Sequence, residues 1–374
     1  MEQTHVEYSA FIPEKGVCEY HTLIHITDTS LSFEKQLEAI WDTYKTWQSS
    51  KLTDATPVFI RLFLSDIANQ QTLAETRMAG MPCPCSIIGQ PPLDGSKIAA
   101  WIYWQTGVSV SVVNKRSYKV SHGTSYTHHW SVGCTDDSEN SHEQTRNMLD
   151  KYAEELVKNG LSLSENCIRT WFFVQNVDVN YQGVVKGRNE VFDRQGLIRH
   201  THFIASTGIG GRVADKRHKV SMDCYAIEGI QPEQIHFLYA PTHLNPTYEY
   251  GVSFERGTYV DYADRRQVFI SGTASINNKG EIMYPGQIDR QTDRMLENVK
   301  TLLHEADCGF EDVGCMIIYL RDIADYATVS SIFRKRFPLM PKVFLWAPVC
   351  RPGWLVEMEC IASKKRTEKR FSPF

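Results

Sequence analysis

Apolar residues fall into two recurring patterns along the chain. Helix-like patterns run from Arg146 to Gly160, from Arg294 to Asp307 and near Phe33 to Trp47, with shorter ones over Gly183 to Phe192 and Tyr326 to Phe337. Between them lie apolar runs of strand length, Ile168 to Val174, Cys315 to Leu320 and Gln267 to Gly272. The pattern repeats. Met148/Met295, Leu149/Leu296 and Leu156/Leu303 pair at an offset of 147, and Val220-Ser-Met-Asp-Cys-Tyr-Ala226 pairs with Val356-Glu-Met-Glu-Cys-Ile-Ala362 at an offset of 136. The earlier copy therefore holds 11 more residues between its helix and its last strand, a difference that a surface loop absorbs at little entropic cost.

Two copies of helix, strand, helix and strand predict an α+β fold, each copy a mixed sheet with helices packed on one face. The strand Gln267 to Gly272 precedes the helix of the later copy, and Ala99-Ala-Trp-Ile-Tyr-Trp-Gln105 is assigned the same place in the earlier one. The domains expected are 1–230, with additional N-terminal elements, and 231–374. Residues 1–95 read as further strands and one helix, without an assigned place.

The last strand of each copy carries the first chemical signal. Side chains alternate between the faces of a strand. Val220/Val356, Met222/Met358, Cys224/Cys360 and Ala226/Ala362 share one face, the core face under the helices. The opposite face carries Ser221 and Asp223 in one copy but Glu357 and Glu359 in the other. Since Asp223/Glu359 is shared and Ser221/Glu357 is not, Glu357 is the candidate for chemistry confined to one half. The alternative is that both glutamates face solvent on the open side of an antiparallel sheet.

The segment Trp346-Ala-Pro-Val-Cys-Arg-Pro-Gly-Trp354 just before that strand is rich in rigid turn formers, which would hold Cys350 and Arg351 near the carboxylate. A thiol there is either reactive or an inert buried group. Tyr248 to Gly257, then Tyr262-Ala-Asp-Arg-Arg266 leading into Ser271-Gly272, concentrates aromatics and arginines, the residue types that grip a planar anion. The bland reading of Asp261, Asp264, Arg265 and Arg266 is an exposed, self-paired turn.

Composition narrows the function class. The 374 residues suggest two domains at about 150 residues each, and 42% hydrophobic content supplies a large core. A net charge of −4, from 40 Lys+Arg and 44 Asp+Glu, disfavours non-specific nucleic-acid binding. The basic run Lys364-Lys365-Arg366 with Lys369 and Arg370 reads as a solvated tail. No apolar run approaches the roughly 20 residues of a membrane span, and the N-terminus lacks a signal-peptide layout, so a cytoplasmic protein is expected. The ten cysteines are scattered and read as reduced, mostly buried residues. Cys83-Pro-Cys85 has no second pair at zinc spacing, so no metal is expected. Gly208-Ile-Gly210-Gly211 lacks the strand-loop-helix context of a phosphate loop, and no Gly-x-Ser-x-Gly elbow is present.

Phe269-Ile-Ser-Gly272, Glu297-Asn298-Val299, Ile318-Tyr-Leu-Arg-Asp322 and Leu355-Val-Glu-Met-Glu-Cys-Ile-Ala362 resemble the reactive intermediate deaminase (Rid, YjgF or endoribonuclease L-PSP) superfamily, over about 245–363. His243-Leu-Asn-Pro-Thr247, Phe254-Glu-Arg-Gly257, Ile270-Ser-Gly-Thr-Ala-Ser275 and Cys350-Arg-Pro-Gly-Trp354 resemble, more narrowly, the chorismatases, built from two Rid-like (chorismate-mutase-like) units. That resemblance implies a cofactor-free enzyme that protonates the enol-ether methylene of chorismate, a small dicarboxylate, and releases pyruvate with a hydroxybenzoate or a dihydroxycyclohexadienoate. It implies Glu357 as the acid and Arg256, helped by Arg266 or Arg321, as carboxylate binder, with Tyr250, Ser271, Gly272 and Arg351 around the substrate. It associates Ala263 with the hydrolytic product and Cys350 with 3-hydroxybenzoate, which is slightly favoured. Where Rid deaminases place an arginine after a proline, Pro341-Lys342-Val343 stands here, which weighs against imine hydrolysis. Rid proteins assemble as trimers, so a monomer or a trimer is expected. The rival readings are a Rid-type enamine/imine deaminase using Lys342 or Arg351, and a non-catalytic ligand- or RNA-binding module.

Overall fold

The computed structural model describes residues 3–374, apart from the side chain of Tyr250. Its strands form three sheets, each with its own helices. The first unit contains β1 (Thr4–Phe11), β2 (Glu19–Ile26), α1 (Phe33–Ser50), β3 (Ala55–Leu64), α2 (Ile67–Met78), β4 (Cys85–Gly89) and β5 (Ile98–Thr106). The second contains β6 (Ser109–Val112), β7 (Ser117–Ser121), β8 (Thr127–Cys134), α3 (Ser141–Lys158), the short α4 (Leu163–Asn166), β9 (Cys167–Val174), α5 (Val177–Arg194), β10 (Ala205–Gly210) and β11 (Val220–Glu228). The third contains β12 (Ile235–Leu238), β13 (Gly257–Asp261), β14 (Arg265–Ala274), α6 (Ile288–Glu305), β15 (Val313–Leu320), α7 (Tyr326–Arg336), β16 (Lys342–Trp346) and β17 (Val356–Lys365).

All three share one topology. The orders β1-β2-β5-β3-β4, β6-β7-β8-β11-β9-β10 and β12-β13-β14-β17-β15-β16 each insert the last strand of the unit beside its opening hairpin. In each, the pair β3–β4, β9–β10 or β15–β16 is parallel and joined by a crossover helix. The α+β class is as expected, but the units number three rather than two. Residues before 95 build most of the first. Ala99–Gln105 is not the strand ahead of α3, a place taken by β8; it lies in β5, between β2 and β3. Registers align the last strands, with Leu64 opposite Ile98, Val174 opposite Val220 and Leu320 opposite Val356.

Helices cover one face of each sheet. In α6, Thr292, Met295, Leu296, Val299, Leu302 and Leu303 recur at helical spacing and are all buried. In the second unit, Val220, Met222, Cys224 and Ala226 pack with Met148, Leu149, Val184 and Phe192 in one core. The other sheet faces turn towards one another rather than to water. There Phe59 meets Trp130 at 4.7 Å between ring centres, and Tyr225 meets Phe269 at 5.4 Å.

At least one buried ion pair crosses each junction. Arg61 donates to Asp223 (2.7 Å) between the first and second units, Arg169 to Glu359 (2.6 Å) between the second and third, and Arg265 to Glu19 (2.5 Å) between the third and first. Each is a charge-assisted bond in a dry setting, where removing one partner strands the other. The chain end is also anchored. Lys364 and Lys365 extend β17, and Phe374 is buried with its ring centre 4.3 Å from the Arg265 guanidinium carbon, so the segment is anchored, while Lys365, Lys369 and Arg370 of its basic run are exposed as expected.

Candidate active site in the cleft between the second and third units

Glu357 and Glu359 project from β17 towards the second unit. They are only 3% and 4% exposed, which overturns the solvent-facing alternative. Their environments differ. Glu359 accepts bonds from Arg169 (2.6 Å), Trp171 Nε1 (3.0 Å) and Tyr319 (3.1 Å), and also from Thr207, so it is a fully held structural carboxylate. Glu357 lies at the head of a cleft of about 470 Å³, mouth included. Burial, followed by the negative charge of Glu359, pushes its pKa up to about 8, although Arg256 and Arg169 pull the other way. At neutral pH it is mainly a protonated acid.

A bulge makes room for it. The register of β14 on β17 shifts between Ile270 and Thr273, leaving Ser271 and Gly272 out of step. Gly272 lies so close to Glu357 Oε1 that any Cβ there would collide with it. The displaced backbone stitches the junction: Gly272 N–H donates to Thr207 Oγ1 (2.9 Å), and Ser206 N–H donates to Ser271 Oγ (2.9 Å).

The segment before β17 closes the cleft on another side. Gly210 has no side chain, so the Pro348 backbone approaches closely enough for Gly210 N–H to donate to Pro348 O at 2.9 Å. Cys350, Arg351 and Trp354 follow and line the cleft. Burial, then the Glu357 charge, pushes the Cys350 thiol up to about 12, with Tyr181, Arg351 and Arg188 pulling it down. The thiol is therefore protonated, not a thiolate nucleophile. Arg256 is 4% exposed, donates to Asn245 O (2.9 Å) and to its Oδ1 (3.2 Å), and lines the wall below Glu357.

The cleft thus joins Glu357, Cys350, Arg256, Gly272 and Arg351. The other expected site residues lie elsewhere. Arg266 makes a bidentate bond to Asp261 (2.7 and 2.9 Å) and donates to Ala306 O, so its fork is fully occupied away from the cleft. Arg321 bridges Asp178 (2.5 Å) and Val349 O (2.7 Å), which holds the Cys350 segment against α5 from behind. Ser271 is buried in the junction, donating to Glu255 O. Ala263 sits in the β13–β14 turn, bonded through its backbone to Ser372 and Glu368. Nine residues of extended chain, about 30 Å, separate it from Gly272. Tyr250 ends a 3-10 turn, Thr247–Tyr250, and its side chain lies outside the described residues.

Four cleft residues from the second unit escaped the sequence reading: Tyr181 and Arg188 on α5, and Ser206 and Gly208 on β10. A signal existed for two. Gly208 and Gly210 alternate along a strand, the mark of a close approach: a Cβ on Gly208 would lie 2.7 Å from the Tyr181 ring. Arg188 is a charge inside the buried stripe Val184, Gly187, Val191 and Phe192 of α5. Lys342, in contrast, belongs to the junction of the third and first units, where its Nζ lies 3.0 Å from Glu7. Registers place Ser206 at the matching position in the Glu357 cleft. Among the described residues no three His, Cys, Asp or Glu side chains gather as metal ligands, all ten cysteines are free, and no helix is long and apolar enough to cross a membrane.

Similarity to known proteins agrees with a Rid-like α+β fold. Residues 254–364 match the endoribonuclease L-PSP family model. A RutC family protein of Pyrococcus abyssi is 31% identical over 100 residues, 26% of this chain and 79% of that protein. The 3-aminoacrylate deaminase RutC of Acinetobacter baylyi is 27% identical over 97 residues, 25% of this chain and 77% of that one. The chain belongs to the RutC (endoribonuclease L-PSP) family through its third unit. The crystal structure of a chorismatase superposes with a TM-score of 0.65 over 82% of this chain and 93% of its own, at 18% identity, a likeness of fold that spans all but a small part of both molecules.

Proposed function

We propose that the protein is a chorismatase-like enzyme that cleaves the enolpyruvyl ether of chorismate to pyruvate and a hydroxybenzoate, with Glu357 as general acid. The observation that carries this reading is the Glu357 carboxyl itself, buried in a cleft and held protonated up to about pH 8 beside an arginine. Protonation of the enol-ether methylene by Glu357 generates an oxocarbenium ion. Water adding to this ion gives a hemiketal and returns a proton to the Glu357 carboxylate, and collapse of the hemiketal breaks the ether to pyruvate and the dihydroxycyclohexadienoate. On the other branch the neighbouring ring hydroxyl attacks the ring carbon, expels the activated group as pyruvate and returns its proton to Glu357, and the ring aromatises to hydroxybenzoate by shifting a ring proton to oxygen. Arg256 faces one substrate carboxylate and favours the ionised product state of the acid. Cys350, a neutral thiol at the cleft wall, packs against the ring and limits the approach of water. This favours 3-hydroxybenzoate over the dihydroxycyclohexadienoate. Ala263 takes no part in the choice. The chemistry draws on no cofactor or metal, and chorismate as substrate fits a cytoplasmic enzyme.

The fold likeness to a chorismatase supports the substrate, and the likeness to a 3-aminoacrylate deaminase supports a second reading, imine or enamine hydrolysis. Of the two residues that reading relies on, Lys342 is tied to Glu7 in another junction, away from Glu357, which leaves it only Arg351 in the cleft. Incubation with chorismate, following pyruvate and the ring product, separates the two. Glu357→Gln is expected to fold and to lose pyruvate release by about 10²–10⁴-fold, the range of a lost general acid. Pyruvate from chorismate at the wild-type rate in that variant, or a wild-type enzyme that releases no pyruvate from chorismate but releases ammonia from an amino-acid-derived enamine, would refute the assignment.

A further inference from the structure

The junction of the first and second units holds a groove of about 1690 Å³, mouth included, at the place that matches the Glu357 cleft. Registers put Cys85 of β4 where Ser206 stands in β10. Sulfur marks one wall of the groove, which Met78, Met81, Cys83 and Cys85 all line. They belong to a single segment, Met78-Ala-Gly-Met-Pro-Cys-Pro-Cys85, whose backbone gathers them. The chain turns at Gly80, whose φ of +87° suits glycine, and Met81 N–H donates back to Met78 O at 3.1 Å, so the two methionines stand close together. Pro82 and Pro84 then fix the backbone on either side of Cys83. Cys83 is 2% exposed and Cys85 half-buried, and neither is in a disulfide. Burial pushes both thiols up, and the charges of Cys83 and Asp223 push Cys85 further while Arg61 pulls it down. Both are therefore neutral thiols at pH 7. Two thiols fall short of a site built from Cys, His, Asp and Glu alone, and His218, which also lines the groove, is bonded to Asp137 (2.9 Å). The thioethers change that count.

We propose that this segment is a binding site for a soft monovalent cation, Cu(I), held by the thiolates of Cys83 and Cys85 with the thioethers of Met78 and Met81 completing the shell. Thiolate and thioether ligands together select Cu(I), whereas Zn(II) takes its tetrahedral set from thiolate, imidazole and carboxylate. Binding breaks both S–H bonds, forms two Cu–S bonds and releases two protons to solvent, and no electron is transferred. A coordinating thiol is deprotonated by its metal, so the neutral state of the free thiols is no barrier. The complex of Cu(I) with two thiolates carries one negative charge. Lys115 and Arg116 line the same groove, against Glu75 and Asp215, and Arg61, which acts on Cys85, has an Nε and an Nη1 that make no hydrogen bond among the described residues. The site lies at another junction than Glu357 and rests on no part of the chorismate reading.

The test is anaerobic competition for Cu(I) between the reduced, full-length protein and bicinchoninate, whose coloured copper complex fades as the protein takes the metal. The wild type is expected to withdraw Cu(I) from the chelator, and x-ray absorption of the loaded protein should show a shell of sulfur alone. Cys83→Ser combined with Cys85→Ser should take up one equivalent fewer than the wild type, which separates this site from the other cysteines. Met78→Leu combined with Met81→Leu keeps the apolar bulk and both thiols, and should weaken the uptake by roughly tenfold, the scale on which a metal's surroundings act. Cys85→Ser alone, at the half-buried position, replaces the double serine variant if that one does not fold. Equal uptake by the serine variant and the wild type, a wild type that takes no Cu(I) from bicinchoninate, a nitrogen or oxygen shell, or a preference for Zn(II) over Cu(I) would each overturn the proposal.

Discussion

At one register position the three units carry Ala99, Ser221 and Glu357. The same place in the same fold thus holds a methyl, a hydroxyl and an acid. The acid has a consequence for stability as well as for catalysis. Its folded pKa of about 8 lies above the ordinary value of 4.5, so folding favours its protonated form. Any stability tied to this group is complete below pH 4.5 and is lost as pH rises to about 8, beyond which a buried anion remains. Glu357→Gln should therefore be more stable than wild type above pH 9, by up to about 5 kcal/mol, and similar to it near pH 5. Chemical denaturation at both pH values checks this, and equal stability at both would contradict the raised pKa. The pH–rate profile for pyruvate release should fall through the same pKa, since the acid form is the active one. Gly272→Ala tests the space this carboxyl occupies. The added Cβ displaces Glu357, and a shift of about 1 Å costs roughly 10² in rate. Unchanged turnover in a folded Gly272→Ala protein would remove Gly272 from the site.

Among the elements, the helices α3 and α6 and the strands β9, β11, β15 and β17 were legible because each carries a dense apolar pattern that a partner copy repeats. The first unit was not. Its last strand, Ile98–Thr106, is buried at every position and reads as continuous apolar residues, with no Met-x-Cys-x-Ala alternation to tie it to the other two. β9 is buried at every position as well, so it was the repeat in a partner copy, and not the burial, that made a strand recognisable. The site was half legible for the same kind of reason. Glu357, Cys350 and Arg256 lie in segments that stand out by composition, whereas Arg188 reaches the cleft from a helix of another unit, a proximity that only tertiary packing creates. Arg266 misled because arginine-rich turns bind ligands and ions alike, and here Asp261 and the Ala306 carbonyl together take the whole fork.

At the scale of the molecule, three similar units form three junctions, and only one contains Glu357. The junction of the third and first units is instead a polar clasp. His25 lies 3.7 Å from both Glu7 and Asp94, Lys342 pairs with Glu7 at 3.0 Å, and His5 stacks nearby. Burial lowers the His25 pKa, but the nearby carboxylates of Asp94 and Glu7 outweigh it and push the value up to about 9. A histidine raised from 6.5 stabilises the fold fully below pH 6.5 and loses that contribution as pH rises through about 9. The clasp should therefore weaken in alkali, and His25→Gln should flatten the fall in stability between pH 6.5 and 9. A variant whose stability falls as steeply as that of the wild type would exclude His25 as the clasp.

The same three junctions bear on assembly. Arg61–Asp223, Arg169–Glu359 and Arg265–Glu19 each close a contact between units within one chain, so the ring of three sheets needs no second copy to bury its inner faces. Light scattering should find a monomer of 42.8 kDa. The pairs also make the ring cooperative, since each buried charge depends on a partner from another unit. Arg169→Met leaves Glu359 without its strongest donor, and the expected loss is about 3–5 kcal/mol, the range for stranding one member of a buried pair. It should also reach the cleft, because Glu359 and Arg169 both act on Glu357. With Arg169 gone the pKa of Glu357 rises further, so the alkaline limb of the pH–rate profile should move to higher pH even as the melting temperature falls. A lower melting temperature with an unmoved limb would separate the interface from the acid and show that the charges at this junction serve the fold alone.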